Sequence, residues 1–293
     1  MGGGLLLDYS APMSSATLAG CGALALWAFL AVLSRLAAGI PPLQLTAMGF
    51  AVGGAVALVV VAAQGRLGRL RQSPLAWAHG VGGLFGYHAL YFAALALAPA
   101  VEANLINYLW PLLIVLLSAP LRGLRLGPAR LAGVAMGFFG CALLVGPGAS
   151  FPAEASLGFL AALGCAVVWA VYSVTAGTKP LRGVPTEAVA GFCMATAALA
   201  GLAHGLFEPT VIPDAGQALA VLLLGLGPVG AAFFLWDVGM KRGDPRLLGT
   251  LAYAVPVAST LLLIAAGEGA FTLTVALATA LVAGGGAIAS RAS

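Results

Sequence analysis

Of the 293 residues, 61% are hydrophobic and only 8% are charged, and the mean hydropathy is +1.06. A soluble domain carries about 25% charged residues, so this composition excludes a water-solvated globule and leaves lipid to solvate most of the surface. The net charge of +4 does not point to nucleic acid, because the basic residues sit in short clusters between apolar runs, the pattern that orients membrane proteins.

A spanning helix needs about 20 apolar residues. The chain predicts ten, at 14–38, 42–64, 74–98, 102–121, 128–147, 154–178, 185–206, 217–241, 244–266 and 271–290. Pro, Gly and charge mark the breaks, among them Pro41-Pro42, the stretch Gly65 to Ser73, Pro147-Gly148, Lys179-Pro180 and Glu208-Pro209. The first run lacks a basic leader, so a cleavable signal is not expected. Cys21, Cys141, Cys165 and Cys193 each lie inside an apolar run with no CxxC pair, and read as small buried hydrophobes rather than a disulfide or metal framework.

Charge tests the count. With both termini cytoplasmic, Arg66, Arg69, Arg71, Arg122, Arg125, Arg130, Lys179, Arg182, Lys241, Arg242, Arg246 and Arg291 fall inside, which is every basic residue except Arg35. Glu102, Glu154, Glu208, Asp214 and Glu268 fall outside. A missed or extra helix would scramble this alternation.

The chain also repeats itself. Trp27-Ala28 and Trp169-Ala170 sit mid-span in the first and sixth segments, with Gly22 and Gly164 five residues before each Trp. Tyr108 and Tyr253, Pro111 and Pro256, and Gly140 and Gly285 are each 145 apart. The expected units are 14–147 and 154–290. With five spans each, the second must enter from the opposite side, and inverted repeats place a substrate site near the midplane.

Taken along the chain, the chemistry-bearing residues concentrate in spans three and four. Tyr87 and Tyr91 share a helix face, and His88 flanks it. Asn104, Asn107, Tyr108 and Pro111 fall on one stripe beside Trp110, and amides are costly against lipid, so the stripe should face protein or a wet cavity. Pro111 removes a helical hydrogen bond and frees a carbonyl. Trp27, Trp110 and Trp169 are too deep for an interfacial belt, which leaves core packing or pocket lining, whereas Trp77 and Trp236 are assigned to that belt. Tyr172 and Ser173 follow Trp169 at helical spacing. His79 and His204 are expected at the interface, and Asp237 in a local pair with Lys241. Gly49/Gly53, Gly82/Gly86, Gly133/Gly137 and Gly201/Gly205 have GxxxG spacing, for static packing or for sliding surfaces.

Absences narrow the function. There is no P-loop, so the chain is not its own ATPase. No Arg or Lys lies at the midplane to hold a phosphate, and no carboxylate lies deep enough to hold a cation. A zwitterion can be held by neutral donors, acceptors and helix ends, and large aromatic walls suit an aromatic side chain.

Two five-helix halves, a mid-helix Trp in spans one and six and a Pro in spans four and nine resemble the drug/metabolite transporter superfamily in its EamA-type branch, over essentially the whole chain. The string Asn104-Leu-Ile-Asn107-Tyr108-Leu-Trp110-Pro111 resembles the fourth-helix signature of the YddG-type aromatic amino-acid exporters. The resemblance implies an all-α, basket-like fold of ten helices with a central cavity, in the bacterial inner membrane. It implies export of aromatic and other neutral amino acids, with Tyr87, His88, Tyr91, Tyr108 and Trp110 at cavity positions and Trp27 and Trp169 matching less closely. Span nine, Ala-Tyr253-Ala-Val-Pro256, lacks the paired Asn and Trp, so the site is expected mainly on the first half.

The sequence reading is therefore a non-enzymatic, cofactor-free, monomeric exporter of small molecules surrounded by lipid. Tyr87, Tyr91, Tyr108, Trp110, Trp27 and Trp169 shape its pocket, and Asn104, Asn107, His88 and Ser173 hydrogen-bond the zwitterion. Facilitated diffusion is favoured, with proton antiport through His88 or Glu102 open. Competing readings are an exporter of drugs or other metabolites, an intramembrane hydrolase built on Ser173 and His88, and a receptor subunit.

Overall fold

The computed structural model describes residues 13–145, 151–267 and 270–291, and over these the chain is all-helical. Glu268 and the Pro147-Gly148 break lie outside the described residues. The helices are α1 (Ser15–Ala28), α2 (Leu30–Leu36), α3 (Pro42–Ala63), α4 (Pro74–Leu97), α5 (Ala100–Asn107), α6 (Trp110–Arg122), α7 (Pro128–Val145), α8 (Ser156–Thr175), α9 (Ala188–Phe207), α10 (Ala215–Leu226), α11 (Ala232–Arg242), α12 (Pro245–Leu251), α13 (Ala254–Ala265) and α14 (Leu273–Arg291). Counting consecutive pieces together, nine stretches among the described residues are long and apolar enough to cross a membrane, and α7 is a shorter apolar helix there.

Local chemistry sets the starts. Proline opens α3, α4 and α12, where its missing N–H costs nothing. Ser14 and Ser73 accept from backbone N–H groups of the first turns of α1 and α4, and Asp214 with Gln217 forms a reciprocal cap on α10.

Four of the expected continuous spans are broken. The first bends at Phe29, the fourth at Tyr108 and Leu109, and the ninth at Ala252 and Tyr253, while a π-helical turn, Gly227–Ala231, joins α10 to α11. Pro111 and Pro256 stand three residues after Tyr108 and Tyr253 and cannot donate to the carbonyls four residues back. The freed carbonyls at two breaks are met from other helices. Ser259 Oγ donates to Ala28 O at 2.8 Å, and Trp27 Nε1 donates to Pro228 O at 2.9 Å.

The principal pairings are α7 with α14, α3 with α9, α4 with α8 and α1 with α11. Glycine permits close approaches both in the α7–α14 pair and where α3 crosses the α10–α11 segment. A Cβ added to Gly133 would stand 2.6 Å from the Gly285 carbonyl, and one added to Gly53 would stand 2.6 Å from the Gly225 carbonyl and 2.8 Å from Gly230 Cα. The GxxxG spacing is not a uniform packing signal, however. Gly82 and Gly205 have nothing within 4 Å of an added Cβ. The α4 contacts run instead through Gly80 and Gly83, which hold the rings of Phe192 and Tyr172.

Ionic and polar ties gather the basic loops at one end. Arg66 meets Glu187 at 3.2 Å, Arg130 meets Asp244 at 3.2 Å, Arg246 donates to Arg125 O, and Arg122 donates to Met240 O. At the opposite end Glu208 accepts from the N–H groups of Leu43 and Gln44 and pairs with His204 at 2.9 Å, and Gln217 donates to Ala38 O.

Candidate substrate site

Between the two ends, α1, α4, α6, α8 and α11 converge on a cluster of rings. Trp169 of α8 is its hub. The Trp27 ring lies 5.6 Å away edge-on, Tyr87 5.2 Å, Phe233 5.9 Å, and Trp110 6.4 Å edge-on, and Trp236 is stacked at 6.3 Å. Edge-to-face and offset pairs each contribute about 0.5–1.5 kcal/mol beyond burial, so the cluster is a rigid apolar floor. Two of its indole N–H groups are satisfied: Trp27 by Pro228 O, Trp236 by Ser173 Oγ at 3.0 Å.

Beside this floor, α4 and α5 supply a neutral polar layer. Tyr87 and Tyr91, one turn apart, stack with their planes 5° apart and centroids 6.0 Å apart. Tyr91 donates its hydroxyl to Asn104 Oδ1 at 2.7 Å, and Asn107 Nδ2 donates to the Tyr87 hydroxyl at 3.2 Å. Asn107 Oδ1 in turn accepts from the Cys165 thiol of α8. His88 Nδ1 lies 2.7 Å from Leu84 O. A carbonyl only accepts, so Nδ1 carries a proton, and in the neutral form of the ring Nε2 is the acceptor. The His88 ring stands edge-on to Phe50, 5.1 Å away.

The structure thus brings Trp27, Tyr87, His88, Tyr91, Asn104, Asn107, Trp110 and Trp169 into one region. The other two predicted residues lie at its margin. Ser173 has 0% exposure and is occupied by Trp236. Tyr108 packs against the second cluster, around Val115, Cys141 and Tyr253, because the break at Tyr108 and Leu109 turns α6 relative to α5.

One assignment is overturned. Trp236 is not an interfacial belt residue: it is 1% exposed and packs on Trp27, Trp110 and Trp169. Its position near the end of the expected span 217–241 misled, because the π-turn divides that span and Trp236 falls in the middle of α11. Tyr172, expected on the face of Trp169, lies 5.3 Å from it, and Phe233 and Phe50 also belong to the cluster and were missed. Phe233 and Trp236 sit three apart on one face, a signal the sequence did carry. The histidines near helix ends are held by partners within the protein. His79 stacks on Tyr172 at 4.8 Å and lies 3.0 Å from Thr175 Oγ1, and His204 is buried against Glu208 and Thr210.

Beneath Trp236 the basic end is latched. Lys241 Nζ meets Asp237 Oδ1 at 2.6 Å, as expected, and donates to Val184 O, while Thr186 Oγ1 donates to Asp237 Oδ2 at 2.7 Å. This ties the segment before α9 to α11. No group of three or more His, Cys, Asp or Glu able to hold a metal exists among the described residues. An aromatic floor with neutral amides and hydroxyls beside it can hold an aromatic, net-neutral molecule by ring contact and hydrogen bonds.

Residues 14–146 and 156–291 each match the EamA-like transporter family. The chain is 54% identical over 281 residues to the aromatic amino acid exporter YddG of Ancylobacter novellus, covering 94% of this chain and 97% of that one. It is 26% identical to the exporter of the same name from Salmonella typhimurium, over 84% and 87% of the two chains. A probable terminal-alkyne amino-acid exporter of Streptantibioticus cattleyicolor is 29% identical over 79% and 82%. A solved crystal structure, 54% identical, superposes with a TM-score of 0.90 over 95% of this chain and 98% of that one.

Proposed function

This chain belongs to the EamA-like transporter family, and on that premise we propose that it exports aromatic and other neutral amino acids across the bacterial inner membrane by alternating access, as a monomeric facilitator. The observation that carries the reading is the pairing of the aromatic floor around Trp169 with the Tyr87–Asn107 and Tyr91–Asn104 hydrogen bonds. A flat side chain fits the former, and a zwitterion can exchange into the latter without meeting a fixed charge. Two relatives carry the name of aromatic amino acid exporters and a third that of an amino-acid exporter.

The architecture proposed is ten spans in two inverted repeats, 14–147 and 154–290, with both termini cytoplasmic. The gathering of the basic loops at one end supports that orientation. Offset by about 145 residues, α4 corresponds to α10–α11 and α8 to α1, so the pairing of α4 with α8 has its counterpart in α1 with α11. An axis in the membrane plane relates such pairs. Facilitation is favoured over coupling because Asp237, a buried carboxylate beside the floor, is neutralised by Lys241, and a zwitterion moves no net charge through the potential.

Uptake of labelled tryptophan into proteoliposomes without an ion gradient, competed by a panel of amino acids, tests this. Saturable uptake blocked by neutral amino acids is expected. Uptake that requires a proton gradient would replace facilitation by antiport, and uptake blocked by amphipathic drugs but not by amino acids would move the substrate class.

A further inference from the structure

Gly53 of α3 meets Gly225 and Gly230 where α3 crosses the α10–α11 segment, and from that crossing the two diverge toward the basic end. The wedge between them is a groove of about 730 Å³. Its walls are apolar for most of their length: Val56, Ala57 and Val60 on α3, and Phe234, Leu235 and Val238 on α11. Val56 and Val60 are exposed and continue the lipid-facing surface of α3. Charge appears only at the mouth, where Arg66, Arg69 and Arg242 face Glu187. Glu187 meets Arg66 at 3.2 Å and Arg69 at 3.9 Å, so three guanidiniums and one carboxylate leave an excess of two positive charges.

We propose that this groove binds one anionic phospholipid of the leaflet at the basic end, with an acyl chain between α3 and α11 and its phosphate among Arg66, Arg69 and Arg242. Length supports the choice. Gly53 to Gln64 is eleven helical steps, roughly 17 Å, and half of a hydrocarbon core is roughly 15 Å. A soluble anion would leave the apolar walls unused, and a zwitterionic lipid would leave the excess charge uncompensated. The site is separate from the substrate cluster and does not depend on the transport reading. It does share a helix with it, since Phe233 and Trp236 occupy the buried face of α11 and Phe234, Leu235 and Val238 the groove face.

Native mass spectrometry of the purified, delipidated full chain with equal phosphatidylglycerol and phosphatidylcholine tests the proposal. Retention of phosphatidylglycerol over phosphatidylcholine by roughly thirtyfold is expected for an excess of two charges. Arg66→Gln with Arg242→Gln should bring the two lipids level, Ala57→Phe should lower retention of both, and Arg35→Gln should change neither. Glycerol phosphate, which has the charge but no acyl chain, should not compete. Equal retention in the unsubstituted protein, a preference that survives the double substitution, or displacement by glycerol phosphate would each overturn the lipid assignment. The comparison of the two lipids on the unsubstituted chain stands even if Ala57→Phe does not fold.

Discussion

Trp27 and Pro228 lie 201 residues apart in sequence, and the Trp27 indole N–H donates to the Pro228 carbonyl at 2.9 Å. The bond joins the last turn of α1 to the π-turn between α10 and α11, so the ring that floors the site also closes a break in the opposite half. Trp27→Phe keeps a ring and removes the donor, leaving a partly buried carbonyl unmet. A loss of about 1–3 kcal/mol is expected, read as a lower unfolding midpoint in detergent, with slower tryptophan uptake. An unchanged midpoint would mean that water replaces the indole.

Trp110 meets the floor edge-on to both Trp169 and Trp236, and its removal opens one wall without cutting a hydrogen bond that ties helices together. Trp110→Ala is expected to lower tryptophan uptake about tenfold or more, with a stability cost toward the low end of the roughly 3–5 kcal/mol typical of large-to-small changes. Trp110→Phe should restore part of the uptake. Full uptake in a monodisperse Trp110→Ala protein would remove this ring from the site.

Two glycines of the same spacing motif should behave oppositely. At Gly133 a methyl would stand 2.6 Å from the Gly285 carbonyl and 2.9 Å from Ala289 Cβ, whereas at Gly82 nothing lies within 4 Å. Gly133→Ala must push α7 from α14 and is expected to cost about 1–3 kcal/mol. Gly82→Ala meets open space and gains up to about 1 kcal/mol of helix propensity. Thermal unfolding of the two variants side by side checks this, and similar shifts would mean that α7 and α14 are not in the tight contact described.

These contrasts mark what the sequence could and could not express. Hydropathy located the nine long apolar stretches among the described residues, because lipid imposes that term residue by residue. The same code is silent on depth within a bundle. Asn104 and Asn107 were legible because an amide against lipid has no other explanation. Trp236 was not, since a tryptophan near a helix end reads as interfacial until the π-turn at Gly227 is known. Tyr108 was placed on the pocket stripe by an unbroken helical period, and at the break after α5 its ring also packs against the second cluster. Gly82 failed for a related reason: spacing shows that two glycines share a face, not that the face meets a helix.

Asp244 caps α12 at the basic end and holds Arg246 and Arg130. Burial opposes its ionisation, but the hydrogen bond from Arg246 and the charges of Arg130 and Arg246 outweigh it, so its pKa lies below the ordinary aspartate value. A depressed carboxylate contributes stability that is complete above the unfolded pKa, about 3.9, and is lost as pH falls through the folded one. Asp244→Asn should therefore unfold at a lower temperature than the parent at neutral pH, and the two midpoints should converge below about pH 4. A gap that stays constant to the acid limit would assign the loss to capping geometry rather than charge.

The latch under the floor is a coupled pair. Asp237 and Lys241 are one turn apart, 2.6 Å between charged atoms, with side chains 6% and 7% exposed. Each also binds the segment before α9, Asp237 through Thr186 and Lys241 through Val184 O. Removing either partner alone strands a buried charge, at a cost of about 3–5 kcal/mol, whereas replacing both can approach neutrality. Asp237→Asn and Lys241→Met should each be strongly destabilising, and the double variant less so than their sum. In that double variant the amide that replaces the Asp237 carboxylate can still accept from Thr186, so the tie between α11 and the segment before α9 is weakened rather than abolished. If the latch closes the basic end, uptake should keep its substrate preference while its rate changes. Strict additivity of the two single losses would show that the pair is not energetically coupled and that the closure rests on the backbone and hydroxyl contacts alone.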